Sequence, residues 1–85
     1  MAYFFVEVTD TFGGEANYSW VTRHKIKAKT IRGAVVRLNR DSGLGFHIVA
    51  NYGDMARYDS NTGGTCAFIS EWDNSQHSDY KVNTL

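Results

Sequence analysis

The segment from Thr30 to Gly43 has the clearest structural pattern in the sequence, and it constrains the fold more than any other part of the chain. Thr30 is a favourable helix N-cap, and Gly43 suits the left-handed position that often follows a helix. Four apolar residues between them have the i, i+3, i+4, i+7 spacing of a buried stripe: Ile31, Ala34, Val35 and Leu38. The pattern predicts one helix near residues 30–42, with one side packed against another layer of structure.

The rest of the chain alternates apolar and polar residues in short runs, which is typical of β-strands. Strands are predicted at residues 2–9, 18–29, 46–52, 55–59 and 65–72, and residues 80–85 are either an edge strand or a loose tail. Because a short loop joins the first two strands, an antiparallel hairpin is their economical pairing. The predicted fold is α+β: an antiparallel sheet of four to five strands with one helix packed on one face, in the order β-β-α-β-β-β.

The last long strand does not reveal which of its faces is buried. Cys66, Phe68 and Trp72 point to one side, whereas Ala67 and Ile69 point to the other. Both sets are apolar, so the alternation leaves the orientation of this strand open.

Length and composition indicate one small domain in a reducing compartment. A chain of 85 residues has room for a single core, so residues 1–85 are expected to form one domain, with 73–85 as the least securely attached part. Cys66 is the only cysteine and has no partner for an internal disulfide. No apolar run approaches the roughly 20 residues that cross a bilayer, and the N-terminal residues lack the basic start of a signal peptide. The expectation is a soluble, cytoplasmic protein without a membrane partner.

Charge is unevenly distributed although the formal net charge is zero. Residues 1–40 carry seven Lys/Arg against three Asp/Glu, a net +4, and residues 41–85 carry two against six, a net −4. Such asymmetry indicates either a contact with nucleic acid or an acidic protein, or two halves that neutralise each other in the fold.

Candidate groups for catalysis are few. His24, His47 and His77 are dispersed without the close spacing of a zinc site, so no metal site is predicted. Cys66 lies within an apolar strand, where an inert buried thiol is the ordinary expectation, and its pairing with His47 is the remaining enzymatic alternative. The sequence therefore predicts a protein that is not an enzyme, with no catalytic residues and no cofactor.

A more informative feature is the sheet face turned away from the helix. If the even-numbered residues of the first strand face the helix, five residues share the far face: Tyr3, Phe5, Arg23, Lys25 and Lys27. Aromatic and cationic side chains of this kind anchor protein interfaces, and they also stack bases and hold phosphates. The alternative is that the C-terminal residues, or a second copy in a homodimer, cover Tyr3 and Phe5.

The remaining cations weaken the nucleic-acid interpretation. Arg37 and Arg40 fall on the outer surface of the predicted helix, a domain thickness away from the strand cations. The cations are therefore expected to form at least two patches, and the zero net charge also argues against a nucleic-acid footprint.

The layout resembles that of small phage-encoded anti-CRISPR proteins. The resemblance rests on residues 26–34, where a strand leads directly into a capped helix, followed by strands within 46–52 and 58–72. It covers most of the chain as architecture, and no family motif can be transferred residue by residue. It implies a non-enzymatic inhibitor, encoded by a phage or mobile element, that occupies a surface of a host protein or ribonucleoprotein complex in the host cytoplasm.

Overall fold

The computed structural model describes residues 2–85, which form six strands and two helices. The elements are β1 (Ala2–Phe12), β2 (Glu15–Ala28), α1 (Ile31–Ser42), β3 (His47–Asn51), β4 (Met55–Asp59), β5 (Thr65–Glu71), α2 (Asn74–His77) and β6 (Asn83–Thr84). None of the helices in this described range is long and apolar enough to cross a membrane.

All six strands belong to one sheet, in the order β3-β4-β5-β1-β2-β6. Four of the neighbouring pairs are antiparallel, and the pair β2–β6 is parallel. The α+β class and the largely antiparallel sheet are confirmed. The expected four to five strands and single helix are wrong in detail, because the C-terminal residues add a short helix and a sixth strand that have no apolar periodicity of their own.

Helix α1 begins and ends at the residues that the capping pattern predicted. The Thr30 hydroxyl accepts a hydrogen bond from the Gly33 N–H (3.1 Å), as an N-cap does. Gly43 has φ +71°, and its N–H donates to the carbonyl of Asn39 (2.8 Å). A left-handed φ is tolerated at Gly43 because glycine has no Cβ to clash with the backbone. The predicted helix is confirmed.

The core lies between α1 and one face of the sheet. Ala34 and Leu38 are fully buried on α1, and Ile31 and Val35 pack against the same cluster. The sheet contributes the aliphatic side chains of Val6, Ile26, Ala67 and Ile69, among others. In β5 it is therefore the Ala67–Ile69 face that lies toward the helix, which resolves the ambiguity in the sequence. Cys66 is buried as well, but it alternates onto the opposite face.

The hairpin β1–β2 contains a bulge near the turn that joins the two strands. The register shifts between Thr9 and Thr11, which leaves extra residues on β2. Tyr18 within that stretch has φ +56°, a conformation that costs energy for a non-glycine residue. The Asp10 carboxylate accepts hydrogen bonds from the N–H and hydroxyl of Ser19, and the Thr9 hydroxyl accepts one from the Tyr18 N–H (3.0 Å). The bonds from Ser19, followed by one from the side-chain amide of Asn17, hold the pKa of Asp10 well below its usual range. Together with the bond from Tyr18 to Thr9, they fix the bulge.

The C-terminal segment, residues 72–85, crosses the sheet on the side away from α1. The Trp72 N–H donates to the Tyr3 carbonyl (2.9 Å) where the segment leaves β5. At its other end the Leu85 N–H donates to the Lys25 carbonyl (3.0 Å), and Leu85 packs against the core cluster. Both ends of the segment are thus attached to the hairpin β1–β2.

Candidate functional site

The hairpin register brings the predicted site residues onto one face. Tyr3 lies opposite Lys27, Phe5 opposite Lys25, and Glu7 opposite Arg23. Directly opposed side chains of an antiparallel pair lie about 5 Å apart on the same face. The five residues predicted from the sequence are therefore neighbours on the far face of the sheet.

Phe5 nevertheless does not form part of an open surface. Only 8% of Phe5 is exposed, because its ring is stacked against the ring of His77 with centroids 4.0 Å apart and planes 9° apart. The rings of Tyr80 and Trp72 also contact it, at centroid distances of 5.5 and 6.1 Å. The expectation that Phe5 is a contact residue on an exposed face therefore needs correction. The C-terminal segment covers it, because leaving a large apolar ring exposed to water is unfavourable.

The short helix α2 positions the covering rings. The Asp73 carboxylate accepts hydrogen bonds from the N–H (2.9 Å) and hydroxyl (2.7 Å) of Ser75, and these bonds lower the pKa of Asp73. Nδ1 of His77 accepts the backbone N–H of Asp73 (3.0 Å), which orients the imidazole over Phe5. The indole N–H of Trp72 donates to the side-chain oxygen of Asn74 (2.7 Å). The ring cluster is thus fixed by a local hydrogen-bond network.

The cations of β2 lie over these rings. The Lys25 ammonium is 4.6 Å from the ring centroid of Tyr3 and 4.4 Å from that of Trp72. The Lys27 ammonium is 5.8 Å from the Tyr3 centroid, and the Arg23 guanidinium carbon is 4.4 Å from that of Tyr80. We call this surface the cation–aromatic patch; it consists of Tyr3, Arg23, Lys25, Lys27, Trp72 and Tyr80. Each such contact contributes about 0.5–1 kcal/mol at an exposed site.

The three cations of the patch differ in their charge partners. Arg23 forms an ion pair with Glu7, with Nε 3.0 Å from the carboxylate oxygen. Within residues 2–85, Lys25 and Lys27 make no ion pair. The positive charge of the patch that is free to attract an anion therefore belongs to the two lysines.

The helix cations are closer to this patch than the sequence suggested. Lys27 shares the lining of one shallow depression with Arg37 and Arg40, where the edge of β2 passes under α1. No carboxylate of the described part of the chain belongs to that lining. We expected the strand cations and the helix cations to lie in separate patches. Lys27 departs from this expectation because β2 lies next to the edge of the sheet, where its side chain reaches around to the helix.

Three members of the ring cluster were missed by sequence reasoning. The alternation of the last long strand put Trp72 on the side of Cys66 and Phe68 but left open which side is buried. His77 and Tyr80 lie in a polar stretch without period-2 or helical spacing, so no pattern assigned them to a face. The only available indication was compositional: three ring-bearing side chains within nine residues are unusual for a loose tail.

The candidate groups for catalysis and metal binding are not brought together. Cys66 is 0% exposed, and burial raises the pKa of its thiol, so it has neither the access nor the thiolate character of a nucleophile. No group of three or more His, Cys, Asp or Glu side chains in residues 2–85 is arranged to hold a metal ion. His47 is exposed on β3, away from the ring cluster around His77.

Comparison with known proteins does not add a family to this description. No protein-family model matches the chain, and neither a curated protein nor a solved structure matches it significantly.

Proposed function

We propose that this chain is a small non-enzymatic binding protein that attaches to an acidic surface of a protein partner through the cation–aromatic patch. The observation that carries the proposal is the placement of Lys25 and Lys27, two ammonium groups that lie over ring faces without an ion pair in residues 2–85. A partner carboxylate would complete the charge pairing that the fold leaves open.

The rings support a binding role because they restrict the lysine side chains before a partner arrives. A free lysine side chain loses rotamer entropy when an interface immobilises it, at a cost of about 0.5–1.5 kcal/mol. Contacts with Tyr3 and Trp72 already limit the positions of the Lys25 ammonium. Trp, Tyr and Arg are also the residue types that most often dominate binding energy at protein interfaces.

The same geometry favours a protein partner over single-stranded nucleic acid. Base stacking needs free ring faces. In the patch, however, cations lie over the rings of Tyr3, Trp72 and Tyr80, and Phe5 is buried beneath His77. A base would have to displace these cations, whereas a carboxylate approaches them from outside.

The anti-CRISPR-like layout makes the proposal more specific. We propose that the partner is a host defence nuclease or surveillance complex and that the chain inhibits it by occupying one of its surfaces in the host cytoplasm. The depression lined by Lys27, Arg37 and Arg40 extends the positive surface around the edge of β2 and enlarges the area available to such a partner.

Charge reversal of the two free lysines tests the patch. We expect Lys25→Glu/Lys27→Glu to weaken binding by about 100-fold or more, because opposing like charges at an interface costs several kcal/mol. The matched control is Arg32→Glu/Lys81→Glu, which changes the net charge equally at two exposed positions outside the patch. The partner is isolated from a host lysate on the immobilised protein, and its affinity for each variant is then measured by calorimetry.

Two outcomes would reject parts of the proposal. Equal affinity of the lysine variant and the control would remove the patch as the contact surface. Binding of labelled single-stranded DNA or RNA that weakens steeply between about 50 and 200 mM salt, and is lost in the lysine variant, would replace the protein partner with nucleic acid.

A further inference from the structure

The free edge of the sheet at β3 is uncharged and apolar. Among residues 2–85, β3 pairs only with β4, so its other side has no strand partner in the described sheet. Its residues, His47–Asn51, include no Lys, Arg, Asp or Glu. Ile48 and Val49 are 54% and 47% exposed, and Tyr52 immediately after the strand is exposed as well. Sheet edges normally carry charges, prolines or covering elements that prevent pairing with other chains.

The opposite edge of the sheet is protected in these ways. The two residues of β6 and the following Leu85 cover part of β2. The bulge held by Asp10 disrupts the remainder of β2 toward the turn at residues 13–14. The exposed cation Lys27 and the ion-paired Arg23 also lie on that strand. In the sheet formed by residues 2–85, one of the two edges is therefore open to strand addition.

We infer that β3 is a self-association edge, at which two copies of the chain pair their β3 strands antiparallel about a twofold axis and join two six-stranded sheets into one. A twofold interface sets each strand against itself, so like charges on the strand would face each other and repel. β3 has no such charges. An edge of backbone donors and acceptors is complementary to its own copy, and the exposed Ile48 and Val49 supply apolar contact between the two copies.

The fold limits this association to a pair. Each copy has one open edge, so a twofold β3–β3 contact uses both edges and closes the assembly. The extra residue Val49 forms a bulge in the register with β4, between Ile48 and Ala50, which shortens the segment that can pair. A stable interface buries about 800 Å² per partner. Five residues of strand do not reach that area alone, so the dimer is expected to be weak, with a Kd on the order of 10–100 µM.

The dimer leaves the cation–aromatic patch accessible. β3 is separated from β2 by β4, β5 and β1 in the sheet. Two copies joined at β3 would therefore present two patches. Self-association through β3 does not depend on the proposed partner, so each can be tested without the other.

Sedimentation velocity of the whole chain over about 5 µM to 1 mM tests the inference, a range that brackets the expected Kd. The weight-average mass should rise from 9.6 kDa toward twice that value with concentration. Val49→Lys and, as a second variant, Ile48→Lys should stay monomeric, because each places like charges across the twofold axis. The control Val36→Lys adds the same charge at an exposed apolar position on the outer face of α1 and should dimerise like the unmodified chain.

Circular dichroism confirms that the variants remain folded, as expected for exposed positions. A chain that stays monomeric throughout the range would overturn the inference. Dimerisation retained by both β3 variants, or lost in Val36→Lys, would overturn it equally, because either result places the contact elsewhere.

Discussion

The two faces of the sheet are covered by different means. On one face, α1 packs aliphatic side chains such as Leu38 against Val6, Ile26 and Ile69, all of which are essentially fully buried. On the other, the C-terminal segment covers Phe5 with stacked rings, and cations lie over the outer members of the cluster. The first face is closed by non-directional burial of apolar area, the second by a few contacts that depend on ring orientation.

This difference has a consequence for local stability. An aliphatic core loses contact with water over its whole area, so its parts unfold together with the domain. The C-terminal segment is held by ring stacks of about 0.5–1.5 kcal/mol each and by hydrogen bonds of about 1 kcal/mol. It should therefore open before the rest of the fold, which would expose Phe5 and disperse the cation–aromatic patch.

The largest expected effect is on the helix-covered face. Leu38→Ala should lower the free energy of unfolding by about 2–5 kcal/mol, because a fully buried leucine leaves a cavity that the surrounding core fills only in part. Urea unfolding monitored by circular dichroism measures the change. A loss below about 1 kcal/mol would show that the helix face is not the main source of stability.

A smaller effect is expected on the far face. His77→Ala removes the stack on Phe5 and the acceptor of the Asp73 N–H, and should cost about 1–2 kcal/mol. The control His47→Ala changes an exposed histidine on β3 and should leave stability almost unchanged. Hydrogen exchange should show faster exchange in residues 72–85 of His77→Ala while α1 stays protected.

Equal stability of the two histidine variants would contradict the role assigned to His77. Loss of protection throughout His77→Ala would show instead that the two faces unfold as one unit, and the contrast between them would disappear.

The contrast also explains how much could be predicted from the sequence. Helix α1 was predictable because Thr30 and Gly43 cap its two ends and the apolar spacing between them matches the face that packs on the sheet. These local signals and the tertiary packing specify the same helix. The alternation of β1 and β2 also placed Tyr3, Lys25 and Lys27 correctly on one face. These are features in which the nearest neighbours in sequence decide the structure.

The covering of Phe5 was not predictable by the same reasoning. His77 stacks on a residue 72 positions earlier in the chain, and α2 has only four residues, too few for a periodic signal. The closing contact is specified by ring geometry and by the Asp73 hydrogen bonds, neither of which leaves a spacing in the sequence. Sequence reasoning therefore identified the three cations of the patch and Tyr3, but not the rings of Trp72 and Tyr80 that complete it.

The smallest effect we predict concerns a weak point beneath α1. Nδ1 of His24 is buried without a hydrogen-bond partner in residues 2–85, and burial lowers the pKa of His24 from its ordinary 6.5, although Asp41 partly opposes the shift. The unfolded chain then takes up a proton at a higher pH than the folded protein does. Stability should be constant above that ordinary pKa and should fall as the pH drops through it, until the folded-state pKa is passed. Urea unfolding between pH 8 and about pH 5 measures this slope, and His24→Gln should reduce it.

His47 and His77 remain in both proteins, so the difference between the two slopes reports His24 alone. Identical slopes would mean that His24 is protonated as readily in the folded protein as in the unfolded chain, and that the helix-covered face tolerates a charge that its burial should exclude.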